Sequence, residues 1–98
     1  MKIRILPEAE NDLAMGADFY EAQSPGLGHY FNDCLASDIE SLKLFAGVHE
    51  RVFALHRCLS KRFPFAIYYN WNEERIDIYA VLDCRQDPEG IAERLRST

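Results

Sequence analysis

Near residue 50 the spacing of apolar residues changes from helical to extended. Before that point, Ala9, Leu13, Ala17 and Tyr20 recur every three or four residues. A second stripe follows in Leu27, Phe31, Cys34, Leu35, Leu42 and Phe45, with Asp33, Ser37, Glu40 and Ser41 on its polar side. A repeat of about 3.6 puts each set on one face of a helix. Beyond residue 50 the repeat is about 2. Phe53, Leu55, Arg57 and Leu59 share one side of an extended segment; Phe63, Phe65, Ile67 and Tyr69 share another; Ile76, Ile78, Ala80 and Leu82 a third. Two helices followed by three strands define an α+β chain.

The breaks between these segments are chemically marked. Lys2 to Leu6 alternates and suits a short strand. Pro7, which cannot donate a backbone N–H, is placed to open a helix that runs to about Gln23, with Glu8 and Glu10 in its first turn. Ser24-Pro25-Gly26 separates the two helices, and the second is expected over residues 27–45, ended by Gly47. Val52 to Leu59 reads as one strand. Ser60-Lys61-Arg62 and Asn72-Glu73-Glu74 are turns, and Pro88 admits a last helix over residues 89–96. The expected order is β-α-α-β-β-β-α, an antiparallel sheet covered by a helical hairpin, in a single domain over residues 1–98. Leu13, Phe31, Leu35, Leu42, Phe65, Ile67 and Ile78 are its expected core.

No run of about 18 apolar residues is present, so no membrane span is expected. The N-terminal stretch has no apolar core or cleavage site, and a cytoplasmic location is the expectation. Cys34, Cys58 and Cys84 are odd in number and form no CxxC pair, which argues for three reduced, mostly buried thiols. The three histidines lack metal-ligand spacing, and no cofactor or metal is expected. The formal charge of −5 conceals an asymmetry: residues 1–50 carry three basic against nine acidic groups. Residues 51–62 carry Arg51, Arg57, Lys61 and Arg62 with no acid. Any anion-binding surface is therefore a small patch, not a basic face.

Four segments in order carry a family likeness. Pro7-Glu8-Ala9-Glu10-Asn11-Asp12-Leu13 is similar to the PEAExDL opening of the first helix in RelE/ParE toxins, the plasmid-stabilisation toxins of bacterial type II toxin–antitoxin modules. Phe19-Tyr20-Glu21 followed by Pro25-Gly26-Leu27-Gly28-His29-Tyr30-Phe31 resembles the family's YYE…PGLGxxF hairpin. Arg62-Phe63-Pro64-Phe65-Ala66-Ile67-Tyr68-Tyr69 resembles its RFPYxIxY strand. Ala80-Val81-Leu82 with Arg85-Gln86-Asp87-Pro88 resembles its AVLHxxRxP segment. The resemblance spans essentially the whole chain. It implies a RelE/ParE-like fold, a toxin role, and a cognate antitoxin laid over sheet and helices.

The departures bear on mechanism. Asp83 stands where many relatives carry His, Gln86 where many carry a second Arg, and the chain ends Ser97-Thr98 without a Tyr. RelE-like members cut messenger RNA on the ribosome, which requires proton transfer and charge neutralisation at the phosphate. ParE-like members bind DNA gyrase instead. The missing groups tilt the expectation toward a ParE-like, protein-binding toxin. The alternatives are an RNA-cleaving, RelE-like enzyme and a non-toxic relative serving as an interaction module.

Arg57, Arg62 and Arg85 are the candidate catalytic residues, and Arg51, Arg57, Lys61 and Arg62 the candidate binding residues. For Arg57 the alternatives are anion or partner recognition and a salt bridge to a helix carboxylate. Lys61 and Arg62 are either binding groups or solvated turn charges. Arg85 is either functional or paired with Asp83 or Asp87. Tyr68, Tyr69 and Trp71 read as packing residues in preference to a stacking platform, and His56 as a strand-surface histidine.

Overall fold

The computed structural model describes residues 1–97. Among them the elements run β1 (Lys2–Ile5), α1 (Pro7–Gln23), α2 (Leu27–Glu40), α3 (Leu42–Phe45), β2 (Arg51–Val52), β3 (Leu55–Leu59), β4 (Phe65–Trp71), β5 (Arg75–Asp83) and α4 (Pro88–Arg96). The strands form a single sheet in the order β1-β5-β4-β3-β2. From β2 to β5 every pairing is antiparallel, as the short turns between those strands imply. The first strand departs from that expectation: β1 lies parallel to β5, with Ile3 opposite Ile76 and Ile5 opposite Ile78, so the sheet is mixed. The helical hairpin between β1 and the meander supplies the crossover that a parallel pair requires.

The α1–α2 pair covers one face. Ala9, Tyr20, Phe31, Leu35, Ile39 and Leu42 pack there on Phe65, Ile67, Tyr69, Ile76 and Ile78. Of the expected core, Leu13 alone is only partly buried. The helices approach closely because α1 presents Gly16 to Phe31; a Cβ on Gly16 would lie 2.6 Å from the Phe31 ring. The turn between them is held by Glu21, whose carboxylate accepts the N–H groups of Gly26 at 3.0 Å and Gly28 at 2.9 Å. These bonds cap the start of α2 and keep the Glu21 carboxyl below its ordinary pKa.

Three expected features are corrected. Residues 27–45 are not one helix: Ser41 donates its hydroxyl to the Asp38 carbonyl at 2.6 Å, and the chain bends there into the single turn of α3. Phe45 consequently leaves the apolar stripe and is 51% exposed. Residues 52–59 are not one strand either. Val52 pairs with Leu55 across a two-residue turn, Phe53-Ala54, in which Phe53 has φ 59. Of the four residues placed on one side of that strand, Leu55 is buried while Phe53 and Leu59 are exposed.

The third correction lies in β5. Tyr68 pairs with Ala80 but Tyr69 with Ile78, so Tyr79 is an extra residue in the ladder. One inserted residue reverses the alternation. Ile76 and Ile78 therefore face α1 and α2, whereas Ala80 and Leu82 face the opposite side. That second face is partly covered by α4, where Leu95 and Ile91 pack with Leu55, Ala66 and Tyr68.

Asp12 ties the layers together. Because β1 stops opposite Ile78, the Val81 N–H has no strand partner beside it. Asp12, 9% exposed, accepts it at 3.0 Å and holds the Arg94 guanidinium through two bonds of 2.8 Å. Helix α1, strand β5 and helix α4 thus meet at one carboxylate. No helix among the described residues is long and apolar enough to cross a membrane. The three cysteines are unpaired, with Cys58 buried and Cys34 and Cys84 half-buried.

Candidate functional site

Cross-strand pairing places Arg57 of β3 beside Tyr68 of β4. Both look onto the face that α4 covers only in part. There they line a groove of about 300 Å³ with Val52, Phe53, Cys84, Gln86, Pro88, Ile91, Ala92 and Leu95. The sheet forms one wall and α4 the other. Arg57 donates through Nη1 to Glu50 Oε1 at 3.1 Å and lies 3.8 Å from the Cys84 sulfur. Its backbone N–H donates to the Glu50 carbonyl at 3.0 Å. Burial opposes the Arg57 charge, but Tyr68, Glu50 and Cys84 outweigh it and hold its pKa above the ordinary arginine value. The groove therefore contains a permanent cation among mostly apolar side chains, with Tyr68, Cys84 and Gln86 as its other polar groups. Its partner is Glu50, from the loop before β2, not a helix carboxylate.

Phe53 forms the mouth of this groove. It is 54% exposed, and the Arg96 guanidinium lies 5.8 Å above its ring. A bulky residue with positive φ is costly, because its Cβ crowds the following carbonyl. Glycine is the usual choice at such a turn position.

The other candidates do not join Arg57. The Arg85 guanidinium donates to Asp83 at 2.8 and 3.0 Å and to the Tyr20 hydroxyl at 3.3 Å. Asp83 raises the Arg85 pKa, and Arg85 holds the Asp83 carboxyl below the ordinary carboxylate range. This is the local pairing named as one alternative. Lys61 and Arg62 line a separate pocket with Asp33, Cys34, Ser37 and Asp38 of α2. There the buried Asp38 accepts the Ser60 hydroxyl at 2.6 Å and the Lys61 N–H at 3.3 Å. Arg51 donates to the Ala54 carbonyl at 3.3 Å, across the hairpin turn. The basic run 51–62 is thus spread over separate parts of the surface.

His56 is corrected from a surface residue to a core one: it is 8% exposed and stacked on Tyr69. Tyr69 is fully buried and Trp71 is 42% exposed. Tyr68 belongs to the groove, a place the sequence marks only through its cross-strand position opposite Arg57. Glu50 carries no motif and nothing in the sequence singles it out, while Phe53 is marked only as an apolar residue of the alternating stripe.

A second groove, of about 200 Å³, runs between α1 and β5. The exposed Met15 and Phe19 line it with Phe65, Val81, Leu82 and Asp83. Gln86 borders both grooves, so the segment after β5 separates them. No group of three or more metal-ligating side chains is clustered among the described residues.

No family model matches the chain, and no curated protein matches it. Among solved structures, one described as the chromosomal ParDE TA system from P. aeruginosa superposes with a TM-score of 0.73. It is 17% identical, and the match covers 83% of this chain and 92% of that one. A likeness at this identity shows the fold. The chain is an α+β domain that shares the fold of that structure.

Proposed function

We propose that this chain is the toxin of a toxin–antitoxin pair and that it works by binding a protein target, in the ParE-like manner, not by cutting RNA. The fold shared with the P. aeruginosa ParDE structure supports the toxin reading. The chemistry of the open-face groove supports the binding reading. The groove offers a fixed cation, a phenol, a thiol and an amide, with no imidazole among its lining residues. Its nearest carboxylate, Glu50, is engaged by Arg57. Asp83, at the family's histidine position, is held ionised by Arg85 and lines the neighbouring groove. Arg57 can neutralise an anion but cannot take a proton, so such a site suits recognition better than acid–base catalysis.

In this reading the antitoxin presents a carboxylate to Arg57 and apolar side chains to Phe53, Ile91 and Leu95. Gyrase is the target class the ParE-like reading implies, and the location is the bacterial cytoplasm. The test is regulated expression of the chain alone and together with the reading frame beside its gene. Growth arrest relieved by the neighbour, with the complex weakened by Arg57→Glu, supports the proposal. Unimpaired growth would assign the chain to the non-toxic interaction modules. A complex unaffected by Arg57→Glu would move the antitoxin site elsewhere, with Arg62→Glu as the next variant to examine.

A further inference from the structure

The loop between α3 and β2, residues 46–50, rests on two histidines and a buried phenol. Tyr69 is fully buried, yet its hydroxyl reaches the loop, accepting the Gly47 N–H at 3.0 Å and bonding His49 Nδ1 at 2.5 Å. A phenol has one proton to give. Among the described residues no acceptor other than His49 Nδ1 is bonded to the Tyr69 hydroxyl, so the O–H is assigned as donating to an unprotonated Nδ1. His56 supports the arrangement from β3: its ring stacks on Tyr69, and its Nδ1–H donates to the His49 carbonyl at 3.0 Å. The loop ends at Glu50, whose carbonyl and carboxylate both hold Arg57.

We propose that His49 is a proton-operated pin: protonation of its Nδ1 frees the 46–50 loop from Tyr69 and loosens Glu50 from Arg57, leaving the groove more cationic. A proton on Nδ1 sets a ring N–H against the Tyr69 O–H. The phenol must then turn its own hydrogen away from any partner, a costly outcome for a buried hydroxyl. The groups facing His49 are Tyr69 from β4, His56 from β3 and Glu50 from the loop itself, with Cys58 beside Tyr69 and Arg51 across from His56. Among the described residues neither imidazole is hydrogen-bonded to a carboxylate that would favour its charge. Burial, and then His56, lower the His49 pKa from its ordinary value. Protonation of His49 therefore falls below the ordinary imidazole value of about 6.5. That release strengthens an anionic partner's hold on the groove rests on the reading of the groove as a binding site; the loop's response does not.

Trp71 supplies a built-in probe. It is the one tryptophan, and its ring packs on Gly47, where a Cβ would lie 2.6 Å from Cζ2. The experiment follows Trp71 fluorescence and Gly47 amide exchange on the full chain between about pH 7.5 and 5, beside the His49 ring resonances. Both loop signals are expected to change with the His49 midpoint, with Gly47 protection, corrected for intrinsic exchange, falling about tenfold, as for one lost hydrogen bond. In His49→Gln, whose side-chain carbonyl accepts the phenol proton without titrating, both signals are expected to stay flat. Tyr69→Phe is expected to show the weakly protected loop at every pH. A flat response in the wild type, or an unchanged transition in His49→Gln, overturns the proposal whether or not the chain proves toxic.

Discussion

Replacing Asp12 by alanine removes the carboxylate on which α1, β5 and α4 converge. Three hydrogen bonds are lost: two from Arg94 at 2.8 Å and one from the Val81 N–H at 3.0 Å. The Val81 N–H is left beneath α1, and a buried donor without a partner costs about 1–3 kcal/mol. Breaking a fully buried ion pair from one side costs about 3–5 kcal/mol. The Arg94 side chain is 26% exposed and regains some water, so the low end applies. Taking the low end of both, the expected total is about 4 kcal/mol, or roughly 16–32 °C in Tm for a domain of this size. Arg94→Ala should cost less, because Asp12 keeps the Val81 N–H and needs only to rehydrate one side. Urea unfolding of both single variants and the double variant measures this ordering and the coupling between them. If Arg94→Ala costs as much as Asp12→Ala, or if both cost under about 1 kcal/mol, Asp12 is not the junction described. Because α4 forms a wall of the Arg57 groove, Asp12→Ala is also expected to weaken partner binding without touching the groove's polar groups.

Phe53→Gly relieves the positive φ and is expected to stabilise the fold by about 1 kcal/mol in denaturant melts while weakening complex formation, since the exposed ring is lost. A loss of stability instead would mean that the ring packs more than its exposure indicates. Gly16→Ala forces a methyl into the Phe31 ring and should destabilise by about 1–3 kcal/mol, read as a lower urea midpoint. The Asp83 carboxyl is depressed by Arg85, so its stabilisation is present above the unfolded carboxylate pKa and is lost as pH falls through the folded value. Acid titration of wild type against Asp83→Asn should therefore converge below about pH 4, with the variant less stable above it.

The fold's legibility followed the strength of its periodic signals. Two helices with apolar residues at helical spacing, then strands with alternating ones, announced a sheet under a hairpin. What escaped were single residues that break a pattern without turn chemistry. Phe53-Ala54 contains no glycine, asparagine or proline, yet it turns the chain. Tyr79 bulges the ladder and exchanges the faces of everything after it. Ser41 bends a helix through one back-bond to Asp38. The parallel placement of β1 depends on a contact over some 70 residues of chain, to which local spacing is blind.

At the site, Arg57 stood out because a charge within an alternating strand must find a partner or an open face, and it found both. Its companions were hidden because they arrive from distant segments: Glu50 by a loop, Tyr68 by strand pairing, Cys84 and Gln86 by the turn after β5. The run Arg51, Arg57, Lys61 and Arg62 looked like one patch because those residues are close in sequence. The hairpin at residue 53 and the turn at residues 60–64 send them to different sides.

Mapping cuts in messenger RNA by primer extension, with the purified chain added to translating ribosomes, tests the central claim most directly. A protein-binding toxin built around a single paired arginine is expected to leave messages intact, with Arg57→Ala and Arg85→Ala indistinguishable from wild type. Codon-dependent cuts that disappear in those two variants would contradict the account and make the chain an RNA-cleaving enzyme.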